Sequence, residues 1–394
     1  DKSGRTFNNP YQYFFEQMHM DDAIYADESI YEYPMQQGGG NDGRPYSFGR
    51  PSSGGSKAAY PCKSYGQGRI NPAYFYGIFD PNDMRRDVSI TMTGSNGKGV
   101  EKLIPFVPNS KAEGGGLTLN KWDENRQANP WVAAQRKSGI NGPYMRMSEV
   151  YLGYAEVCAA LGDVVTGKQY LKTVRERSFP QGLADTDGFI ASFGNDLVRA
   201  IIEERGFEYA GEGDRRWTLI RSGYLPEDIK RIKDMTKAMM DGLATKGYYE
   251  FENGNIISAY IWTKLVDAKT IYGHRLTAQC PMDKVNDPVL YPGWRGQKDN
   301  WEEMGLNYGN SAPATNLAIK GLFEIVSEEE AASLESQGYA KVNWGIDLVD
   351  YRDEYDKYLF WDYDYVSAPI YLWPFTPNVM AAGGFTNGYG FKQE

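Results

Sequence analysis

The sequence predicts a mainly α-helical fold that carries small β-hairpins and long irregular loops. Apolar residues recur every three to four positions through much of residues 144–243, which is the spacing of amphipathic helices. Glycine, serine and proline dominate residues 36–68, a composition that disfavours regular structure. Short alternating runs flank turn signals such as Asn253-Gly254, and this pattern is typical of β-hairpins.

The first third of the chain combines one helix with several short strands. Residues 11–20 are predicted to be helical, and residues 24–33 suit a helix end followed by a strand. Asp87–Thr93 and Val100–Val107 alternate apolar and polar residues around a glycine-rich turn, which predicts a hairpin. Leu117–Trp122 is a further candidate strand.

The clearest helix is predicted over Tyr144–Leu161. Its apolar positions form one stripe: Met147, Val150, Tyr151, Tyr154, Val157, Cys158 and Leu161. Gly162-Asp163 ends this helix, and Thr166 is expected to cap a second one. The short connection makes the two helices antiparallel, in the manner of one tetratricopeptide unit. A lone unit cannot bury its stripe, so we expect partner helices beside it and place them upstream of Asp1.

Two further helices follow this hairpin. Asn195 or Asp196 is expected to cap the third helix, and Pro226–Leu243 forms the fourth. The polar side of the third helix and the loop after it are crowded with charge: Arg199, Glu203, Glu204, Arg205, Glu208, Glu212, Asp214, Arg215, Arg216 and Arg221. We interpret this cluster as an ion-pair network that locks the helix to the loop.

The alternative interpretation of the cluster is an active site. Glu204 and Glu208 lie one helical turn apart and could form the carboxylate pair of a glycoside hydrolase. Interleaved arginines hold carboxylates ionised, however, whereas a catalytic acid needs a raised pKa. The structural interpretation is therefore favoured.

The remaining segments predict a second hairpin and one more helix. Tyr248–Leu265 carries Asn253-Gly254 between alternating runs, which is a strong hairpin signal. Ser327 and Glu330 form a capping box for a helix that stops at Gly338. No linker separates two compact halves, so residues 1–394 are predicted to be one domain with a glycine- and aromatic-rich loop region of about 36–76 inserted.

Composition excludes several classes of function. A formal charge of −10 and a pI of about 5.0 disfavour nucleic-acid binding. Three widely spaced cysteines and two histidines disfavour a cysteine-based zinc site and a histidine-centred triad. No stretch reaches the length of a transmembrane helix, no signal peptide opens the chain and no nucleotide-binding motif occurs.

No metal and no cofactor are expected, with structural calcium as a weak alternative. Two groups of aspartates could supply oxygen ligands, but neither matches a calcium-binding EF-hand loop. They are Asp80, Asp83 and Asp87, and Asp350, Asp353 and Asp356.

Several segments, in order along the chain, carry the motifs of one protein family. Tyr144–Gly162 is similar to that family's R-x-x-E-V-Y-L-x-Y-A-E helix, and Tyr170–Ser178 to the helix after it. Ile201–Leu225 resembles the segment ERxxE-x-x-GEG-x-R-x-x-D-L-x-R-x-G, although Thr218 stands in place of its usual Asp. Ser29–Tyr33 with Asp80–Asp87, and the closing residues from Tyr371, resemble further family segments; Phe375, Thr376 and Gly388 depart from the pattern. Together, these segments resemble the SusD/RagB family of outer-membrane nutrient-binding lipoproteins.

The resemblance implies a SusD-like fold and a function. The chain is expected to be the C-terminal portion of a cell-surface protein in the Gram-negative outer membrane, attached by a lipid anchor on a missing N-terminal part. It would deliver oligosaccharides to a SusC-like TonB-dependent transporter and would not be an enzyme. The alternatives are the peptide-binding lid of a RagAB-like importer and, less favoured, a glycoside hydrolase.

The ligand site implied by the resemblance lies on the loops before the Tyr144 helix, and not on the motifs themselves. Sugars lay their C–H faces on aromatic rings while their hydroxyls bond polar side chains. The candidate ligand-binding residues are Tyr60, Tyr65, Arg69, Asn71 and Tyr74, followed by Trp294 and Trp301, which could equally face the transporter.

Overall fold

The structure is a computed structural model of the 394-residue chain. It describes residues 28–36, 68–95, 101–104, 116–122, 139–267, 315–352 and 375–384, together with positions 11, 14, 15, 18, 48, 49, 106, 371 and 386.

The described residues form ten α-helices, one π-helix and eleven short strands. The helices are α1 (Arg85–Ser89), α2 (Met147–Ala160), α3 (Val164–Glu176), α4 (Thr186–Ala191), α5 (Leu197–Glu208), α6 (Asp214–Ser222), α7 (Leu225–Lys246), α8 (Glu328–Ser336), α9 (Gly345–Asp350) and α10 (Pro377–Gly383), and the π-helix spans Tyr74–Ile78. The strands are β1 (Ser29–Tyr33), β2 (Ile90–Thr91), β3 (Thr93–Ser95), β4 (Glu101–Leu103), β5 (Thr118–Leu119), β6 (Gly142–Arg146), β7 (Tyr248–Glu250), β8 (Ile256–Ser258), β9 (Tyr260–Asp267), β10 (Thr315–Lys320) and β11 (Ala340–Asn343). The predicted mainly helical class with small β-hairpins is confirmed.

Helices α2 and α3 form the predicted antiparallel hairpin, and α5 packs against both. Gly167 makes the close crossing of α2 and α3 possible, since a β-carbon there would lie 3.0 Å from the backbone oxygen of Ala155. The core between the three helices includes the fully buried Leu152 and Leu171. The cap of α3 is Asp163, whose carboxylate accepts from the Thr166 amide at 3.1 Å, so the predicted cap at Thr166 is wrong by three residues.

The apolar stripe predicted for the first helix is only partly buried. The helix begins at Met147, because residues 142–146 pair with β1 as a strand. Its buried face consists of small and polar residues together with Leu152: Ser148, Leu152, Ala155 and Cys158. Much of the predicted stripe is exposed instead, at Val150, Tyr154, Val157 and Leu161, and Val164 and Val165 of α3 are exposed as well. We call these six residues the exposed stripe. Close approach of the helix backbones favours small side chains at the contact, which is why the large residues lie on the other side.

Helices α5, α6 and α7 follow one another as a packed series. Asp196 caps α5 by accepting from the Arg199 amide at 3.0 Å, as predicted. Helix α7 has Pro226 in its first turn, acidic residues beside it and Gly247 at its end with a φ of 76°, the usual start and stop signals.

The strands form small antiparallel sheets around a second core. β9 pairs with β10 and β11 in a three-stranded sheet, and the other sheets have two strands each. The core beneath them includes Tyr76 and Trp344, whose indole Nε1 donates to the Tyr76 hydroxyl at 2.9 Å. The predicted hairpin around residues 96–99 exists as β3 and β4, but residues 85–89 are helical, so the predicted strand from Asp87 is wrong.

Candidate ligand-binding site

Three of the predicted ligand residues lie in the described part of the chain. Arg69 is exposed and pairs with Thr118 through an isolated β-bridge. Asn71 is tied to the scaffold, since its amide donates to the Thr236 hydroxyl at 3.0 Å and its carbonyl accepts from the Ala73 amide at 2.8 Å. These contacts bring residue 71 to helix α7 and hold the start of the π-helix.

Tyr74 is likewise held within the fold. Its hydroxyl donates to the carbonyl oxygen of Gly206 at 2.9 Å, and burial raises its pKa above the ordinary value. Asn71 and Tyr74 therefore connect the π-helix to α5 and α7, while their part in ligand binding stays a prediction. Tyr60, Tyr65, Trp294 and Trp301 lie outside the described residues.

The β7–β8 turn donates hydrogen bonds to the carbonyls at the end of the π-helix. A π-helix leaves backbone carbonyls without partners at its end. Here the Asn253 amide donates to the carbonyls of Tyr76 and Phe79 at 2.8 and 2.7 Å. Gly77 is needed for this docking, because a β-carbon there would lie 2.4 Å from the sulfur of Met235 and 2.5 Å from the Phe251 ring.

An open cavity of about 810 Å³ lies where these elements meet. Residues from the π-helix, α4 and the turn after it, α7 and the β7–β8 turn line this space, which we call the junction cavity. Its aromatic lining is graded in exposure: Phe207 and Phe251 are buried, whereas Phe189 and Phe193 are only partly buried. The cavity thus has an apolar floor and aromatic side walls.

Two contacts position the aromatic walls. The Arg175 guanidinium carbon lies 3.8 Å from the centre of the Phe189 ring, a cation–π contact. Phe193 meets Phe189 edge to face, with ring centres 5.3 Å apart. The turn that carries Phe193 contains two consecutive left-handed residues, Gly194 at φ 66° and Asn195 at φ 64°. Glycine and asparagine are the residue types that tolerate this conformation best.

The cavity lining is acidic. Six carboxylates, from Asp80, Asp83, Asp185, Glu203, Asp234 and Glu252, face two guanidinium groups, from Arg175 and Arg231. Asp83 is paired with Arg85, and Glu203 with Arg215 and Arg231. Within the described residues, Asp80 and Glu252 form no ion pair, and the Asp80 carboxylate accepts a hydrogen bond from the Asn82 amide at 2.8 Å. The cavity therefore presents negative charge to a ligand.

The charge cluster on α5 is the predicted structural network. The Glu204 carboxylate accepts from Arg85 at 2.6 Å and from Arg175 at 2.9 Å, and both Glu204 and Glu208 are fully buried. Burial alone raises the pKa of the Glu208 carboxyl, but the surrounding arginines, led by Arg177 and Arg146, lower it far below its ordinary value. A carboxyl group that stays ionised cannot donate the proton that glycoside hydrolysis needs from its acid.

Asp83 and Asp87, two of the weak calcium candidates, pair with arginines in the same way. In the described residues, no group of three or more His, Cys, Asp or Glu side chains is arranged to hold a metal ion. None of the helices seen in this part of the chain has both the length and the hydropathy to cross a membrane.

Sequence reasoning missed the junction cavity. Its walls come from segments more than 170 residues apart, from Gly77 to Asn253, and no local pattern brings these segments together. The available local signals are the Gly194-Asn195 turn directly after a pair of phenylalanines four residues apart, and an Asn-Gly turn flanked by Glu252.

The described elements define a helical scaffold with a tetratricopeptide-like hairpin, small β-ribbons and an open aromatic cavity. Residues 4–374 match the sequence profile of the SusD family (SusD_RagB). The chain belongs to the SusD family.

Individual proteins of known sequence or structure resemble the chain only distantly. A SusD-like protein from Formosa agariphila is 28% identical over 160 residues, which is 40% of this chain and 26% of that protein. A SusD homologue from Bacteroides thetaiotaomicron aligns with a TM-score of 0.37 and 19% identity, covering 57% of this chain and 47% of that one. Surface glycan-binding protein A from the same organism, solved with laminarihexaose, aligns with a TM-score of 0.38 and 18% identity over 54% and 46%. The chain thus spans about half the length of these solved relatives and about a quarter of the Formosa protein.

Proposed function

We propose that this chain is part of a cell-surface nutrient-binding protein that captures oligosaccharides. It hands them to a SusC-like TonB-dependent transporter in the outer membrane, to which it is held by a lipid anchor. The observation that carries the proposal is the match to the SusD family over residues 4–374.

The proposed ligand residues are the exposed Arg69 and four aromatic residues of loops predicted from the sequence, Tyr60, Tyr65, Trp294 and Trp301. Aromatic rings bind the apolar faces of sugars, and a guanidinium donates to their hydroxyls. Asn71 and Tyr74, close to Arg69 in the sequence, hold the start of the π-helix through their bonds to α7 and α5.

The proposed role is binding without turnover. The carboxylate pair that could have served a hydrolase, Glu204 and Glu208, is buried among arginines and accepts hydrogen bonds from them. The pair stabilises the scaffold, and the neighbouring arginines lower the pKa of the Glu208 carboxyl, whereas acid catalysis needs a raised one.

Retardation in native gels cast with soluble polysaccharides tests the binding role. The protein is expected to be retarded by at least one polysaccharide and to leave every one of them uncleaved. If no polysaccharide retards the protein and the protein binds a peptide mixture saturably, the ligand is a peptide and not an oligosaccharide. Co-purification of a TonB-dependent transporter from detergent-solubilised outer membranes tests the partner, and its absence at any salt concentration would count against the delivery role.

A further inference from the structure

We propose that the junction cavity is a saccharide-binding subsite, distinct from the predicted loop site, that accepts uncharged sugar rings and rejects anionic ones. This inference rests on the proposed function, because it names a place and a charge preference for the same class of ligand.

The size and lining of the junction cavity suit a sugar ring. A volume of about 810 Å³ lies within the roughly 300–1,000 Å³ range of small-molecule sites. Phe189 and Phe193 are partly exposed at its side, and Met235 and Ile78 extend the apolar wall. Flat apolar faces next to polar groups match the two sides of a pyranose ring.

The walls of the cavity are held in place by contacts within the protein. Arg175 covers one face of the Phe189 ring at 3.8 Å, and its own position is set by Glu204, to which Nη1 donates at 2.9 Å. Asn253, another lining residue, is fixed by hydrogen bonds from its side-chain amide to two backbone carbonyls. A ligand therefore binds without the entropic cost of ordering these groups.

The polar groups of the cavity lining match the hydroxyl groups of a sugar. Sugar hydroxyls donate well to carboxylates. Asp80, Asp234 and Glu252 stand at the lining, and their only described partners are the Asn82 amide for Asp80 and the exposed Lys230 for Asp234. Glu252 has no described partner and is exposed on the β7–β8 turn.

The cavity also carries negative charge that no described ion pair neutralises. Six carboxylates and two guanidinium groups line it. Three of the carboxylates have ion-pair partners outside the lining: Asp83 with Arg85, Glu203 with Arg215 and Asp234 with Lys230. The other three, Asp80, Asp185 and Glu252, have no ion pair among the described residues. A uronate or a sulfate ester brought into this space meets repulsion that is strengthened by the apolar walls. The lining thus favours neutral sugars in two ways, by contacts with them and by repulsion of anionic sugars.

The test uses three variants and two probes. Phe193→Ala removes one wall, Glu252→Lys changes the charge of the lining without touching a described contact, and Trp217→Ala is the matched control. Trp217 is exposed and does not line the cavity. The probes are the neutral oligosaccharide that binds wild-type protein most tightly in a screen of glucans, mannans and xylans, and an oligogalacturonate of matched length. Thermal unfolding of each variant shows that it is folded.

The expected results are specific to each variant. Phe193→Ala weakens binding of the neutral probe about tenfold, because a stacked aromatic face is lost. Glu252→Lys improves binding of the oligogalacturonate relative to the neutral probe by on the order of threefold. Trp217→Ala changes neither affinity.

Two results would overturn the inference in distinguishable ways. If wild-type protein binds a neutral oligosaccharide and both cavity variants bind both probes as wild type does, the cavity is not a subsite while the proposed function stands. If wild-type protein binds no saccharide in the screen, the inference and the proposed function both fail.

Discussion

Arg146, the last residue of strand β6, donates from Nη1 to the buried carboxylate of Glu208 at 2.8 Å. From Nη2 the same guanidinium donates to Glu212 at 2.9 Å, and Nη1 also reaches Glu28 at 2.8 Å. One side chain therefore joins β1, the start of α2 and the end of α5. Its three carboxylate partners belong to segments that are up to 118 residues away in the sequence.

Removing this guanidinium is expected to destabilise the protein strongly. Arg146→Met leaves Glu208 and Glu212 buried with fewer positive partners, and breaking a buried ion pair in this way costs about 3–5 kcal/mol. Urea unfolding at neutral pH measures the change. The control is Lys230→Met, which removes an exposed pair with Asp234 and is expected to cost less than about 0.5 kcal/mol. Equal losses in the two variants would mean that the Arg146 network does not stabilise the fold.

Acid is expected to weaken a second group of ion pairs on α5, around Glu203. Burial raises the pKa of Glu203, but Arg215 and Arg231 lower it overall to about 2 from an ordinary 4.5. The unfolded chain therefore binds more protons between these values, so stability is present above pH 4.5 and is lost as pH falls toward 2. A shift of this size corresponds to on the order of 3 kcal/mol.

Unfolding free energies measured at intervals from pH 6 to pH 2 check this prediction. A Glu203→Gln variant, which cannot ionise at this position, is expected to show a shallower decline across the window. A decline as steep as that of the wild type would show that Glu203 does not carry this part of the pH dependence.

Tyr74→Phe separates a structural role from a ligand role. The change leaves the Gly206 carbonyl without its donor and is expected to cost about 1–2 kcal/mol of unfolding free energy. Oligosaccharide affinity should stay within about twofold, because the hydroxyl is already engaged with the backbone. A large loss of affinity with unchanged stability would instead support the sequence-based prediction that Tyr74 binds the ligand directly.

Substitutions in the exposed stripe are expected to leave stability nearly unchanged. Val157 and Leu161 are 54% and 81% exposed, so Val157→Lys and Leu161→Lys should change the unfolding free energy by less than about 0.5 kcal/mol. The wild-type chain is expected to self-associate as its concentration rises, because association buries exposed apolar surface. The two lysine variants are expected to self-associate less. Sedimentation at several concentrations measures the association.

Leu152→Lys is the matched control on the buried face of the same helix, where Leu152 has no exposure. It is expected to abolish stable folding, because a lysine there has no partner. Stripe variants as unstable as this control would mean that the stripe is covered within the chain itself.

Sequence patterns predicted well those helices, caps and turns that are determined by neighbouring residues. The α2–α3 hairpin, the Asp196 cap and the Asn253-Gly254 turn all follow from neighbouring residues, and each is present. The inward face of α2 was predicted wrongly, because the contact between helices selects small residues such as Ala155, and hydrophobicity alone points to the larger ones.

The site was less accessible to sequence reasoning. That the charges on α5 form a network follows from their density, but their partners, such as Arg85 and Arg146, come from distant segments. The junction cavity depends on the π-helix, at whose end the carbonyls of Tyr76 and Phe79 accept hydrogen bonds from Asn253 and Asn255, more than 170 positions away. Long-range pairing of this kind leaves no local periodicity to detect.

The most direct test of the central claim is isothermal titration calorimetry of the purified chain with neutral oligosaccharides and, separately, with a defined mixture of peptides. Saturable heat of binding is expected with at least one oligosaccharide and none with the peptides. Saturable binding of peptides alone, unaffected by any oligosaccharide, would contradict it.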